Sequence, residues 1–154
     1  MDKHPKILVV DDDENIRRTM KAKLEKEGYQ VDVAISGSAA IQKTQRKAYN
    51  IAILDIRLPD MEGVELLKLI RDDVPRTRKI MVTGYTSMQN AIAALNKNAD
   101  AYLIKPVEID SLLTTVKNQI MLQEDERAFS EEKVAEFIES RAKEIKINQS
   151  KESS

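Results

Sequence analysis

The chain has no cysteine in its 154 residues, which excludes disulfides, thiolate metal sites and a cysteine nucleophile. Histidine is almost as scarce. His4 stands alone near the N-terminus, so neither a histidine-based triad nor a zinc site of imidazoles is expected, and a solvated terminal side chain is. Neither sign of charge dominates: the formal net charge is -1, giving no bulk electrostatic reason to expect nucleic acid or an anionic membrane as partner. Met1 to Lys6 is charged and has no apolar core, so no signal peptide is visible. No apolar run approaches a membrane span, and a cytoplasmic location is the default expectation. With 42% hydrophobic residues, the composition suits one ordinary globular domain with a sizeable core and a short appendage.

The chain reads as alternating strands and helices. Lys6 to Val10 is apolar after Lys6, as a strand buried on both faces is, and it ends in Asp11-Asp12-Asp13-Glu14. Taken alone, that acidic run is explained by capping of the following helix, with Ile16, Met20 and Leu24 as its stripe and Gly28 as its stop. Tyr29 to Ala34 alternates as a strand does. Ser36-Gly37-Ser38 punctuates, and Ala39 to Ala48 is helical. Ile51 to Leu54 is a short branched run that delivers Asp55 to a turn-rich segment holding Pro59, Asp60 and Gly63, after which Val64 to Ile70 runs at helical spacing until Val74-Pro75. Lys79 to Val82 is a fourth strand ending at Thr83-Gly84, followed by a helix over Met88 to Leu95. Ala101 to Ile104 is a fifth strand ending at Lys105-Pro106, followed by an amphipathic helix carrying Ile109, Leu112, Leu113, Val116 and Ile120.

Five strand–helix units in succession force right-handed crossovers, a parallel sheet and helices on both faces. The expected fold class is α/β, a flavodoxin-like (βα)5 sheet of five parallel strands in the order 2-1-3-4-5, with an extra C-terminal helix. Ligands of such sheets bind beyond the carboxyl ends of the strands, at the point where strand order reverses. Asp11 to Asp13, Asp55, Thr83 and Lys105 each follow a different strand at that edge, and strands one and three are neighbours there, so Asp11 or Asp12 meets Asp55. Carboxylates about 4 Å apart repel by roughly 4 kcal/mol at an effective dielectric near 20. Such a cluster is suited to a cation, and with oxygen ligands only, Mg²⁺ fits a site that also receives phosphate. Lys105 offers a point charge and Thr83 a hydroxyl for the remaining phosphoryl oxygens, with Asp55 as the nucleophile.

These motifs closely resemble the receiver domains of two-component response regulators, of the stand-alone chemotaxis type, over residues 5 to 122. The matching text is Ile7-Leu8-Val9-Val10-Asp11-Asp12 with Ile16-Arg17, Asp55 with Leu58-Pro59 and Gly63, Met81-Val82-Thr83-Gly84, and Ala101-Tyr102-Leu103-Ile104-Lys105-Pro106. The resemblance implies a phosphoacceptor, Asp55, with Mg²⁺ held by the acidic pair Asp11 and Asp12, by Asp55 and by the backbone carbonyl of Arg57. It implies that Thr83 and Lys105 contact the phosphoryl group, that Tyr102 is an aromatic switch, and that Lys105-Pro106 is cis. Asp13 is read as a cap. The expected partners are a histidine kinase or phosphotransfer protein and a downstream effector, and the expected activity is phosphoacceptance with slow self-dephosphorylation, not turnover. Arg57 and Tyr85 flank the pocket and are expected to tune hydrolysis.

Two rivals compete with this reading. An Asp-nucleophile phosphohydrolase of the haloacid dehalogenase type needs an acid two residues after the nucleophile, where this chain has Arg57, and a cap domain that is missing. A phosphorylation-independent receiver-like scaffold would not need the complete set of pocket residues. The expected domains are 1–122, the receiver, and 123–154, a helical extension. Ser130 reads as a fresh N-cap with Phe129 and Val134 as a staple, giving a separate helix from Ser130 to Ile147 that presents Val134, Phe137, Ile138 and Ile145, with a disordered end from Ser150. That extension is too short and too balanced in charge for a helix-turn-helix unit, so no DNA-binding output is expected. Homodimerisation, through it or through the face of the fourth helix, fifth strand and fifth helix, or docking to a kinase or effector, is its expected role. A solvated extension without a partner is the alternative.

Overall fold

The computed structural model describes residues 4–70, 76–84 and 99–152; the helix expected over Met88 to Leu95, the Val74-Pro75 stop and Tyr85 lie outside them. The chain divides into two compact units, Met1–Gln123 and Glu124–Ser154. In the first, β1 (Lys6–Val10), β2 (Gln30–Ala34), β3 (Ile51–Asp55), β4 (Arg78–Thr83) and β5 (Ala101–Ile104) form one parallel sheet in the order β2-β1-β3-β4-β5. Helices α1 (Glu14–Lys26), α2 (Gly37–Arg46) and α3 (Gly63–Leu69) connect the first four strands, and the last helix covers Ile109–Glu152.

Strands β1, β3 and β4 alternate their side chains between two cores, because successive residues point to opposite faces. Leu8, Val10, Ala52, Leu54 and Met81 pack with Ala40 of α2 and Leu66 and Leu67 of α3. Ile7, Val9, Ile51, Ile53, Ile80, Val82 and Leu103 pack with Met20 and Leu24 of α1 and with Leu112 and Val116 of the last helix. Strands buried on both sides have no polar face, hence their unbroken apolar runs. Each fully buried aliphatic side chain contributes about 1.5–3 kcal/mol.

The local signals act as their chemistry requires. Asp13 caps α1, its side chain accepting from the Ile16 N–H, and Ser36 caps α2 through the Ala39 N–H. Gly28, at φ +95°, ends α1 in a left-handed turn in which the N–H groups of Gly28 and Tyr29 donate to the carbonyls of Glu25 and Leu24. His4 is exposed, yet its Nδ1 lies 2.9 Å from the Gly28 carbonyl, so it is tied to that turn and not simply solvated. Lys105-Pro106 is cis. Helix α2 begins at Gly37 and ends at Arg46, slightly ahead of the expected Ala39 to Ala48.

The C-terminal expectations need correction. Ser130 starts no new helix, and Phe129 and Val134 form no staple: the helix passes through Ser130 and Ser150 to Glu152, so the end is not disordered from Ser150. No glycine or proline lies between 109 and 152, and the many Ala, Glu, Lys, Arg and Gln residues keep the helix intact. Arg127 and Glu131 pair across Ser130 at 3.3 Å. The first unit ends one residue past the expected Leu122, at Gln123, which is buried. Its Nε2 donates to the Asn50 and Arg76 carbonyls at 3.0 and 2.8 Å, and its Oε1 accepts from Asn50 Nδ2 at 2.8 Å. Among the described residues no helix is long and apolar enough to cross a membrane.

Candidate functional site

Strand register assembles the site. Val10 lies opposite Leu54, so Asp11 and Asp55 leave neighbouring strands side by side. Asp55 lies opposite Val82, and Thr83 opposite Ile104, which brings Thr83 and Lys105 to the same rim. Lys105 Nζ is 3.1 Å from Asp55 Oδ2 and 3.4 Å from Asp11 Oδ2. Side-chain oxygens of Asp11, Asp12 and Asp55 all lie within 4.8 Å of one another, with Asp11 and Asp55 buried and Asp12 exposed. An open pocket is lined by Asp12, Asp55, Ile56, Arg57, Thr83, Gly84 and Lys105.

The other predicted residues divide. Arg57 is exposed at the pocket edge and its N–H donates to Asp55 Oδ1 at 3.2 Å. Thr83 is buried and its hydroxyl donates to the Gly84 carbonyl at 3.1 Å, not to the acidic cluster. Tyr102 is not gathered into the pocket; it sits on β5, 45% exposed. Asp13 belongs to the α1 cap, while its N–H donates to Asp11 Oδ1 at 2.9 Å.

Charge in the cluster is finely balanced. Burial pushes the Asp11 carboxyl above its ordinary range; the Asp13 N–H and Lys105 pull it down, the Asp55 charge pushes it up, and the net direction is upward. Burial pulls the Lys105 ammonium down, but the hydrogen bond and charge of Asp55, with those of Asp11, reverse this and raise it. A buried carboxylate held above its ordinary range by burial and by a like neighbour is what a divalent cation relieves, and the oxygen-only donor set suits Mg²⁺.

For some supporting residues the sequence gives no sign of their partners. Asp60 spans from the loop after β3 to the start of α2, its two carboxylate oxygens accepting from the Gly37 and Ser38 N–H groups at 2.9 Å each. Those bonds hold its carboxyl below the usual range. Arg17 Nη1 donates to the Asp11 carbonyl at 2.8 Å. Gly63 is more readable: a Cβ there would stand 2.3 Å from the Asp55 carbonyl oxygen, so only glycine lets α3 start against the end of β3.

The rim lies within residues 7–117, which match the model of the response regulator receiver domain. The chain belongs to this family. It is 32% identical over 118 residues to the response regulator ArlR of Staphylococcus saprophyticus, covering 77% of this chain and 53% of that protein. It is 33% identical over 118 residues to the regulatory protein AtoC of Escherichia coli, covering 77% and 26%. The chain therefore spans about half or less of the length of these curated relatives. Among solved structures, a CheY-like receiver domain protein from Methanospirillum hungatei aligns with a TM-score of 0.76 at 44% identity, over 80% of this chain and 99% of that one. Receiver domains accept a phosphoryl group from histidine kinases or phosphotransfer proteins, bind Mg²⁺ at the acidic pocket, and are not enzymes in the ordinary sense.

Proposed function

We propose that Asp55 is the phosphoacceptor of a two-component switch formed by residues 1–123, with 124–154 as its helical extension. The observation that carries this is the Lys105 ammonium at 3.1 Å from Asp55, beside the oxygens of Asp11 and Asp12. A carboxylate oxygen of Asp55 attacks the phosphorus of a phosphohistidine; the P–O bond forms as the P–N bond breaks, and the imidazole leaves with the electron pair. Asp11, Asp12, Asp55 and the Arg57 backbone carbonyl would hold Mg²⁺, which when bound supplies positive charge for the phosphoryl oxygens. Lys105 stays protonated and balances a further charge. An apolar groove of about 560 Å³ lined by Ile16, Met20, Pro106, Val107, Ile109 and Leu112 opens beside Lys105.

The added charge gives Thr83 a better acceptor than the Gly84 carbonyl. Its hydroxyl turns to a phosphoryl oxygen, and Tyr102 moves from its exposed position into the space vacated. The surface around β5 and the last helix changes with it and is read by an effector protein. Water reaches Asp55 poorly, since the residue is only 7% exposed, so self-dephosphorylation is slow, with Arg57 at the pocket edge tuning its rate. Incubation with acetyl phosphate and Mg²⁺, read by intact mass, should give one phosphorylated species that Asp55→Asn abolishes. Undiminished labelling of the variant refutes the assignment.

A further inference from the structure

Beyond Gln123 the last helix carries apolar side chains that are more than half exposed. Val134, Phe137, Ile138 and Ile145 are 57%, 64%, 61% and 57% exposed. At about 100° per residue, Val134, Ile138 and Ile145 fall within roughly 40° of one another around the helix, with Phe137 and Ala142 on either flank. This is one stripe, and a helix with such a stripe is stabilised by a partner surface.

Charge along the segment identifies the partner. Between 124 and 139 there are seven carboxylates and two cations; between 140 and 150 there are three cations, Arg141, Lys143 and Lys146, and the single carboxylate Glu144. The first half is strongly acidic and the second basic. Two copies side by side in parallel would set acidic half against acidic half, whereas antiparallel copies set each acidic half against a basic one. We propose that Glu124–Ser154 pairs antiparallel with the same segment of a second copy of this chain. In the register centred between residues 139 and 140, Val134 meets the partner copy's position 145 and Ile138 meets its position 141. The aliphatic stem of Arg141 extends the apolar seam while its guanidinium stays near Glu144, 3.4 Å away in each copy. Ala135 and Ala142 border the seam and allow the helices to approach closely. The pairing goes beyond the phosphoacceptor reading and stands without it.

The test uses the full chain in sedimentation equilibrium at low ionic strength and tens of micromolar protein. A dimer is expected, weakening as salt rises. Ile138→Asp should weaken it by about two orders of magnitude, and the double variant Lys143→Glu/Lys146→Glu, which keeps the apolar stripe and good helix formers, by roughly tenfold. Because the chain has no cysteine, Val134→Cys and Ile145→Cys proteins can be mixed and oxidised without background. The mixed disulfide should exceed either self-linked product. A monomer under these conditions, a dimer unchanged by Ile138→Asp, or self-linked products equal to or above the mixed one each overturn the proposal. In the first case the stripe is free or serves another protein, in the second the copies meet elsewhere, and in the third they run parallel.

Discussion

Replacing Asp11 with Asn isolates the electrostatic balance on which the pocket rests. Asp11 is 2% exposed and lies within 4.8 Å of Asp55, a separation at which two carboxylates repel by about 3.5 kcal/mol at an effective dielectric near 20. Lys105 at 3.4 Å attracts Asp11 by roughly 5 kcal/mol on the same scale, reduced by solvent because the lysine side chain is 31% exposed. Repulsion and attraction nearly cancel, and burial tips the result against the charge. Asn keeps an oxygen for the Asp13 N–H, so the variant loses the charge and little else. Without metal, Asp11→Asn should be more stable by about 1 kcal/mol, or about 2–4 °C in Tm.

The pH dependence follows from the sign. A carboxyl raised in the folded state contributes stability that is fully present below its unfolded pKa and lost as pH rises through the folded value. The wild-type deficit relative to Asp11→Asn should therefore be absent in acid and develop as pH climbs above the ordinary carboxylate range. Saturating Mg²⁺ inverts the order. At a hundredfold excess over Kd the wild type gains about 2.7 kcal/mol, and the variant, one ligand short, gains less. Melting curves by circular dichroism with EDTA and with Mg²⁺ measure both. A metal-free variant that melts below wild type at neutral pH would show that the Asp11 charge stabilises the fold, and the cation-site reasoning would fail with it.

Gly63→Ala places a methyl against the Asp55 carbonyl and should lower stability by about 1–3 kcal/mol and slow acetyl phosphate labelling, since the end of β3 must shift; an unchanged Tm and rate would contradict the close approach. A chain ending at Leu122 should melt below one ending at Gln123 by the equivalent of about 1–3 kcal/mol, because the Asn50 and Arg76 groups bonded to Gln123 lose their partner. Lys105→Ala should destabilise the metal-free protein at neutral pH. Since the lysine pKa is raised on folding, its contribution is fully present below the unfolded value near 10.4 and disappears as pH rises through the folded one, so the two Tm curves should converge only in strong alkali.

How much could be read in advance depended on the range of the interaction. The strands β1, β3 and β4 were readable because burial on both faces demands unbroken apolar runs, and Asp13 and Gly28 because capping acts over three or four residues. Asp60 reaching Gly37 and Ser38, Arg17 reaching the Asp11 carbonyl and Gln123 reaching Asn50 were not. Any Asp, Arg or Gln in a turn or on a helix carries the same local signature. Ser130 failed for the converse reason: a serine before two acids looks like a cap, yet without glycine or proline nearby nothing opposes continuation of the helix.

From its residues alone, the chain determined an alternating β and α rhythm, a parallel sheet and a set of polar residues each closing one strand, because periodicity and helix-end chemistry are local. The register that sets Lys105 between Asp55 and Asp11, the Thr83 hydroxyl turned onto the Gly84 carbonyl, and the exposure of Tyr102 were decided only by the packed molecule. Those features depend on distances between residues far apart along the chain, which only folding brings within range of Coulomb forces and hydrogen bonds.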